Sequence, residues 1–420
     1  MEVKSWTRPV IPRLPNHGEP PRIFDTSNAR ISEAKPDGIA SLYVCGITPY
    51  DAAHIGHAAT YLAYDTLIRL WLDAGFDVVY AQNTTDVDDP LLERATATGV
   101  DWRDLAAEQT ELYRRDMQSL GLVPPDHFIA VTDMIAPIAD AVKVLLDRGI
   151  GYRVENDVYF DSAAASAVSD WTIGDESRLN EAAMLELSAE RGGDPGREGK
   201  RAPLDPLLWR AERDGEPSWP SPVGTGRPGW HIECSVIAER YLPLPATVNG
   251  GGSDLIFPHH EFSAGHTAAL TGAPLAGIYS HAALVSYQGA KMSKSLGNLV
   301  FVSELTAAGH DPRAIRLAIL SNHYRTEWEW TDDALDVATA RLARWQAWAT
   351  GASGADSDLK DSALDDSALE YSALDELRSA LANDLDTPAA IAVVDARIAA
   401  GIPADTVTVA AIDALLGVKL

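Results

Sequence analysis

Three side chains that can bind a metal ion or a phosphate group lie close together in the stretch 41–57, and they are Cys45, His54 and His57. The stretch starts with apolar β-forming residues, is broken by a glycine and a proline, and continues as a helix that Asp51 can cap. A strand, a tight loop and a helix N-terminus suit phosphate, because backbone N–H groups and the helix dipole point into the loop. The stretch therefore predicts a phosphate-binding corner, although two histidines near a helix start are more often plain surface residues.

The second group of chemically capable residues is the segment 291–295 (KMSKS), which contains Lys291 and Lys294. These are the only lysines between Lys200 and Lys360. Both lie within five residues, and the glycines on either side (Gly289 and Gly297) predict a loop that moves. The order of the two motifs, HIGH at 54–57 and then KMSKS, resembles the joint signature of class I aminoacyl-tRNA synthetases, which is far more specific than either motif alone.

Composition and charge limit the class of protein. Of the 420 residues, 46% are apolar and 23% are charged, which is typical of a globular protein of two or three domains. The chain has no apolar run of about 18 residues and its proline-rich start lacks a signal peptide, so we expect no membrane association. Two cysteines suit a reducing cytoplasm rather than a disulfide scaffold. A net charge of −27 is unlike that of a protein whose main task is to bind nucleic acid.

The elements that must position these residues follow an α/β pattern. After the first strand we expect a helix over 52–74 and a strand over 76–83, which together form a βαβ unit. A strand pair is predicted over 152–160, the sheet resumes at 247–249 and 277–284, and the chain is helical after 299. The predicted fold is α/β, a class I aminoacyl-tRNA synthetase-like Rossmann nucleotide-binding domain with a connective insertion and a C-terminal helical domain. The expected segments are an N-terminal lead-in with a short hairpin (1–40), the first half of the Rossmann domain (41–120), a connective insertion (121–225), the second half with the KMSKS loop (226–300), a helical stem-contact region (301–350), an acidic linker or insertion (351–376) and C-terminal helices (377–420).

Both cysteines stand in segments that could bind a metal. Cys45 ends the first strand, Cys234 lies in GRPGWHIECS (226–235), and His259 and His260 both lie in GGGSDLIFPHHE (250–261). Two thiols and an imidazole are ligands that Zn²⁺ prefers, and three protein ligands leave a fourth position open. The spacing is too wide for a zinc finger, and a free cysteine is usually a small core residue, so the spacing leaves both interpretations open. The aspartates at 86–89 are either a metal site or a solvated loop, and the loop is the simpler interpretation.

Together these segments resemble cysteinyl-tRNA synthetase over roughly 21–330, with a fainter match at 383–389. The resemblance implies a zinc ion on Cys45, Cys234 and His259 that binds the thiolate of substrate cysteine, a selective contact because the hydroxyl of serine is a poor ligand. It also implies ATP with Mg²⁺ as a substrate. The implied catalytic residues are His54, His57, Lys291 and Lys294. The residues implied around the aminoacyl group and the nucleotide are Cys45, Gly46, Ile47, Thr48, Thr60, Asn83, Thr84, Thr85, Trp230, Gly252, Ser253, Asp254, Val285 and Lys294.

The chain departs from the synthetase pattern at three places. Ser263 stands where synthetases carry a further zinc-binding glutamate, and Asn249 replaces the histidine before the triple glycine. From Thr331 onward the chain has six basic residues against 16 acidic ones, which does not suit an anticodon-binding region. These departures, and the ERGGDP segment at 190–195, resemble the cysteine ligases of mycothiol biosynthesis, which transfer cysteine to a sugar amine.

The resemblance to these ligases implies two half-reactions. Cysteine and ATP form cysteinyl-adenylate and pyrophosphate, and the amine of 1D-myo-inositol 2-amino-2-deoxy-α-D-glucopyranoside then displaces AMP. We expect a cytoplasmic monomer that acts on small molecules and binds no tRNA, with segment 190–195 closing the acceptor's pocket. The sequence does not identify the general base of the second step. Two alternatives stay open, which are a true cysteinyl-tRNA synthetase and a catalytically idle relative that senses cysteine or its adenylate.

Overall fold

A parallel sheet with helices around it carries the predicted site. The structure is a computed structural model that describes residues 3–50, 53–292, 297–352 and 366–420. Its strands are β1 (Arg22–Asp25), β2 (Arg30–Glu33), β3 (Ala40–Val44), β4 (Val78–Thr84), β5 (His127–Ala130), β6 (Gly151–Val154), β7 (Asp157–Phe160), β8 (Leu207–Ala211), β9 (Gly226–Pro228), β10 (Val248–Gly252), β11 (Tyr279–Ala282), β12 (Val285–Tyr287), β13 (Ala290–Lys291) and β14 (Trp328–Trp330).

The described residues also form helices around these strands and a run of helices at the C-terminal end. They are α1 (Ile55–Asp73), α2 (Asp89–Thr98), α3 (Trp102–Ser119), α4 (Ile135–Asp147), α5 (Ser162–Ser166), α6 (Glu181–Glu190), α7 (Trp230–Tyr241), α8 (Glu261–Thr271), α9 (Val302–Ala307), α10 (Pro312–Leu320), α11 (Asp332–Ala352), α12 (Asp366–Ala382), α13 (Thr387–Ala399) and α14 (Thr406–Leu416), with short helical turns at Val131–Met134, Ser253–Leu255 and Ile256–His260.

The central sheet has five parallel strands in the order β11, β10, β3, β4, β5. In its middle, Leu42 of β3 pairs with Tyr80 of β4 on one side and with Val248 of β10 on the other. All five residues of β3 are buried, as expected of a parallel strand that is covered on both faces. The βαβ unit and the α/β fold class predicted from the sequence are therefore confirmed.

The insertion has its own sheet, which is antiparallel and consists of β6, β7, β8 and β9. Two strands pair across the limits of 121–225 that the sequence predicted for the insertion. Strand β5 lies within 121–225 but pairs with β4 in the central sheet, and β9 lies beyond 225 but pairs with β8. Both strands are only three or four residues long, so their local pattern carries little information about which sheet they join.

Several element boundaries also differ from those expected. Helix α1 begins at Ile55 rather than near residue 52, because His54 has extended backbone and its ring accepts a bond from the backbone N–H of Gly56. Asp51, the expected cap, lies outside the described residues. Of the expected acidic linker, 353–365 lies outside them too, whereas α11 runs to Ala352 and α12 starts at Asp366. Strand β14 interrupts the region expected to be helical after residue 299, and the hairpin of β1 and β2 is confirmed.

The C-terminal helices are held to α1 by buried charges. Arg69 of α1 donates to Asp65 at 2.7 Å and to the carbonyl oxygens of Asp413 and Ala414 on α14. Arg316 of α10, which is fully buried, also pairs with Asp65. Because both cations are satisfied by one carboxylate and several carbonyls, this contact fixes the C-terminal helices against the nucleotide fold. None of the described helices is long and apolar enough to span a membrane.

Candidate functional site: a cavity beside a cysteine–histidine cluster

A cavity of about 820 Å³ opens where the strands of the central sheet end. This is the edge at which parallel α/β sheets bind their ligands. Of the residues that the sequence predicted as catalytic or as lining the aminoacyl and nucleotide site, eleven line it. They are Cys45, Gly46, Ile47 and Thr48 after β3, His54, His57 and Thr60 at the start of α1, Trp230 of α7, Gly252 and Asp254 after β10, and Val285 of β12.

The loop after β3 is held in place from behind by Asn83 of β4. The Asn83 amide oxygen accepts a bond from the Gly46 backbone N–H at 2.9 Å and from the Tyr43 hydroxyl at 3.2 Å. Its amide nitrogen donates to the Thr85 hydroxyl, and the backbone N–H of Thr85 donates to the carbonyl of Ile47. Asn83, Thr84 and Thr85 are all buried. Asn83 and Thr85 lie behind the cavity wall, and their hydrogen bonds position the loop that forms this wall.

The two histidines of the HIGH motif stand at the first turn of α1. The ring centroids of His54 and His57 are 3.9 Å apart, and both residues line the cavity. His54 caps the helix by accepting the backbone N–H of Gly56, and Gly56 lines the cavity together with both histidines. This is the arrangement that binds the phosphates of a nucleotide at a helix N-terminus.

Three of the predicted site residues, Lys291, Lys294 and Ser253, are not among the described side chains that line the cavity or hold its loop. Lys294 lies outside the described residues, together with its neighbours 293–296, and of Lys291 only the backbone, in β13, is described. Ser253 begins the short helical turn after β10 and does not line the cavity. Met292, the second residue of the KMSKS segment, is buried and lines the cavity.

The structure brings the three predicted metal ligands together beside the cavity. The sulfurs of Cys45 and Cys234 are 3.7 Å apart, and Nε2 of His259 lies 3.2 Å from the Cys234 sulfur. All three residues are buried, and their ligand atoms lie within 4.8 Å of one another. Residues that are far apart in the sequence thus form one compact cluster, because α7 and the turn before α8 pack against the end of β3.

The donor set and its spacing fit a zinc ion. With Zn–S bonds of about 2.3 Å, two sulfurs of a tetrahedral site lie about 3.8 Å apart, close to the separation of Cys45 and Cys234. Burial lowers the pKa of His259 well below its usual value, which keeps the imidazole neutral as a metal ligand must be. Burial and the adjoining Cys234 thiol raise the pKa of Cys45, so the Cys45 thiol is protonated unless a cation takes the place of its proton.

Two further histidines that the sequence did not single out contact this cluster. Nδ1 of His231 lies 3.1 Å from Nδ1 of His259, a contact that orients the ring of a ligand. Nε2 of His260 lies 3.2 Å from the Cys45 sulfur, and its Nδ1 lies 2.7 Å from Nε2 of His281. Burial lowers the pKa of both His231 and His260 to about 3. Their positions in the WHIEC and PHHE segments were the available signal.

Two of the three departures from the synthetase pattern, Ser263 and Asn249, lie near the cluster and have distinct surroundings. The Ser263 hydroxyl donates a hydrogen bond of 2.7 Å to the carbonyl oxygen of His259. Its partner is therefore a backbone group of the turn before α8 and not the candidate metal cluster. The side-chain amide of Asn249 is buried, and neither its oxygen nor its nitrogen has a hydrogen-bond partner among the described residues. The cluster thus offers two thiols and one imidazole.

The insertion forms the opposite wall of the cavity. Arg191, in the segment 190–195, donates to the carbonyl oxygens of Asp254 and Phe257, which ties the insertion to the chain just before His259. Asp194 accepts bonds from Lys200 at 2.8 Å and from the Tyr159 hydroxyl at 2.5 Å. These residues line the cavity, so its insertion end is polar and charged.

Comparison with protein families and curated proteins identifies close relatives. Residues 31–340 match the family model described as tRNA synthetases class I (C) catalytic domain. The chain is 58% identical to the L-cysteine:1D-myo-inositol 2-amino-2-deoxy-alpha-D-glucopyranoside ligase of Clavibacter michiganensis, over 100% of this chain and 99% of that protein. It is 50% identical to the ligase of the same name from Micrococcus luteus, over the whole of both chains.

Solved structures with the same fold are class I synthetases. The methionyl-tRNA synthetase of Mycobacterium tuberculosis, in complex with methionyl-adenylate, matches with a TM-score of 0.61 and 18% identity, over 91% of this chain and 89% of that one. The leucyl enzyme LeuRS of Agrobacterium radiobacter, in a ternary complex with tRNA and LeuAMS, matches with a TM-score of 0.63 and 14% identity, over 92% and 84%. At these identities the likeness concerns the fold alone.

Proposed function

Because the chain belongs to the class I (C) tRNA synthetase catalytic family and, within it, to the L-cysteine:1D-myo-inositol 2-amino-2-deoxy-alpha-D-glucopyranoside ligases, we propose that it joins L-cysteine to the amine of that glucosaminyl-inositol in an ATP-dependent reaction. The observation that carries the proposal is the identity of 58% over the full length of a ligase of that name. The cysteine–histidine cluster beside the cavity supports cysteine as the amino acid.

In the first half-reaction, the cysteine carboxylate attacks the α-phosphorus of ATP and pyrophosphate leaves. His54 and His57 hold the phosphates at the N-terminus of α1, and Lys291 and Lys294 stabilise the charge on the leaving pyrophosphate, with Mg²⁺ on the nucleotide. Transfer of this kind asks the protein mainly to position its substrates and to stabilise charge. Thr60, Gly252, Asp254 and Val285 line the part of the cavity that we assign to ribose and adenine.

Selection of cysteine depends on the cluster of Cys45, Cys234 and His259, which would hold a zinc ion. When bound there, zinc supplies an open fourth position for the thiolate of the substrate, a contact that a serine hydroxyl makes poorly. The chain's own part is to keep the two thiols and the imidazole within 4.8 Å of one another in a buried place. Trp230 and Thr48 enclose the aminoacyl group beside it.

In the second half-reaction, the sugar amine attacks the activated carbonyl and AMP leaves. The charged insertion end of the cavity is the side from which we propose that this polyol enters. A tRNA acceptor would need many cationic contacts, whereas the chain carries a net charge of −27. We infer a monomer that acts in the cytoplasm, where ATP and reduced cysteine are both available.

The test is a comparison of acceptors. Purified protein is given ATP and radiolabelled cysteine, with either glucosaminyl-inositol or tRNA as acceptor. We expect label in the amide of the amino sugar, AMP and pyrophosphate in equal amounts, and no competition by tRNA. Label on tRNA at the rate of adenylate formation would instead identify a cysteinyl-tRNA synthetase.

A further inference from the structure

The amine that attacks the adenylate must lose a proton to a nearby group, and the structure offers a candidate. We propose that Asp88, at the start of α2, accepts this proton in the second half-reaction. The inference rests on the function proposed above and adds the residue that completes its chemistry.

Five aspartates line the cavity, and four of them are committed elsewhere. Asp205 accepts bonds from the Tyr152 hydroxyl and from two backbone N–H groups. Asp194 is paired with Lys200, and Asp89 with Arg227. Asp254 borders Gly252 and Thr60 on the side that we assign to the nucleotide.

Asp88 differs from these four in its contacts. One of its carboxylate oxygens accepts the backbone N–H of Asp89 at 2.8 Å, which caps α2. The other oxygen has no hydrogen-bond or ion-pair partner among the residues that the structure describes. A carboxylate that is held by one oxygen and open at the other is oriented and still able to take a proton.

Asp88 lines the cavity, and neighbouring residues connect it to two of the segments that carry the predicted cysteine site. It lies three residues after Thr85, whose backbone N–H is bonded to Ile47 of the loop that carries Cys45. On its other side, Asp89 is paired with Arg227 of β9. Strand β9 ends two residues before Trp230, the first residue of α7. Asp88, Asp89, Arg227 and Trp230 therefore line the same cavity as Cys45.

The charges around Asp88 suit a base that works near neutral pH. Burial is the main cause that raises its pKa to about 6, and the carboxylate of Asp89 adds to the rise, while Arg227 opposes it. Glu233 of α7 faces the same group, and its own pKa is raised by burial. Asp88 is thus mostly ionised at pH 7, yet it is a stronger base than an ordinary carboxylate.

The sugar nitrogen loses two protons in separate steps as the amide forms. The sugar ammonium first loses one proton to solvent, which frees the lone pair of its nitrogen. That pair forms the C–N bond to the carbonyl carbon, the C–O bond to the phosphate breaks, and AMP leaves with the bonding electrons. The second proton of the nitrogen passes to the Asp88 carboxylate, and the amide keeps one N–H.

The test uses Asp88→Asn, which keeps the cap of α2 because asparagine caps helices as well as aspartate does. We measure cysteine-dependent ATP–pyrophosphate exchange and ligation to glucosaminyl-inositol with the same protein. The ratio of ligation to exchange should fall by about 10²-fold or more, as expected on loss of a general base. The matched control is Asp101→Asn, the same change at the cap of α3, which is exposed and outside the cavity and should leave the ratio unchanged.

A pH profile adds a readout that a purely structural role would not move. In the wild-type protein, single-turnover transfer from preformed adenylate should fall as the pH drops through about 6, the pKa of Asp88. The variant should lose this limb and keep the one that reports the amine. An equal ratio in variant and wild type, or exchange reduced as much as ligation, would overturn the assignment. If the wild-type protein failed to ligate the amino sugar at all, the proposed function would fail instead.

Discussion

The contact between Gly46 and Asn83 makes a sharp prediction for the substitution Gly46→Ala. A Cβ built on Gly46 would overlap the carbonyl oxygen of Asn83 and would lie 2.6 Å from its carbonyl carbon. Backbone atoms of a central strand cannot swing aside as the end of a flexible side chain can. The loop that carries Cys45, Gly46 and Thr48 must therefore move away from β4.

The size of the movement sets the expected effect. An ordinary contact of a Cβ begins near 3.4 Å, so the contact at 2.6 Å alone requires a shift of about 0.8 Å, and the closer overlap with the Asn83 carbonyl oxygen requires a larger one. Overpacking of this kind costs about 1–3 kcal/mol of folding free energy. A displacement of about 1 Å in a catalytic site can cost about 10²-fold in rate. We therefore expect Gly46→Ala to fold and to lose about 10²-fold in adenylate formation.

Cysteine-dependent pyrophosphate exchange measures the effect, and circular dichroism confirms that the variant is folded. The control is Gly196→Ala, because a Cβ on Gly196 meets no atom within 4 Å and this change should leave exchange unaltered. Exchange by Gly46→Ala at the wild-type rate would refute the reasoning, since it would mean that the position of this loop does not matter.

Three further predictions follow from the site and its surroundings. Cys234→Ala should lose the zinc ion, of which the wild-type protein should carry about one equivalent, together with cysteine-dependent exchange; full exchange by a metal-free variant would contradict the metal site. Lys294→Ala should slow adenylate formation by about 3–4 kcal/mol of barrier while keeping its zinc, and an unchanged rate would remove KMSKS from the mechanism. Burial and the nearby carboxylates of Glu261 and Asp25 raise the pKa of Glu176 to about 8. Between the ordinary pKa of a glutamate and about 8, this carboxyl is therefore protonated in the folded state and ionised in the unfolded state. Stability should therefore decrease as the pH rises toward 8, by at most about 1.4 kcal/mol per pH unit, and Glu176→Gln should flatten this slope in urea titrations; the same slope in both proteins would show that another group causes it.

The sequence indicated the fold class because the strand, loop and helix around Cys45 obey local rules. Buried β-formers, a glycine and proline break, and a helical repeat are visible without any tertiary contact. The residue types required by the chemistry were visible too, since thiols, imidazoles and ammonium groups are few in this chain. Their types left the metal site open, and the resemblance to cysteinyl-tRNA synthetase then implied Cys45, Cys234 and His259 as candidate ligands before any distance was known.

Short strands and long-range contacts were decided only by the tertiary structure. Strand β5 has four residues, and only its pairing with β4 assigns it to the central sheet. The separation of 3.7 Å between the sulfurs of Cys45 and Cys234, and the approach of His231 and His260 to the cluster, depend on how α7 and the turn before α8 pack against β3. Such packing reflects the whole core rather than any local propensity, because residues far apart in the chain meet only after the sheet has set their register.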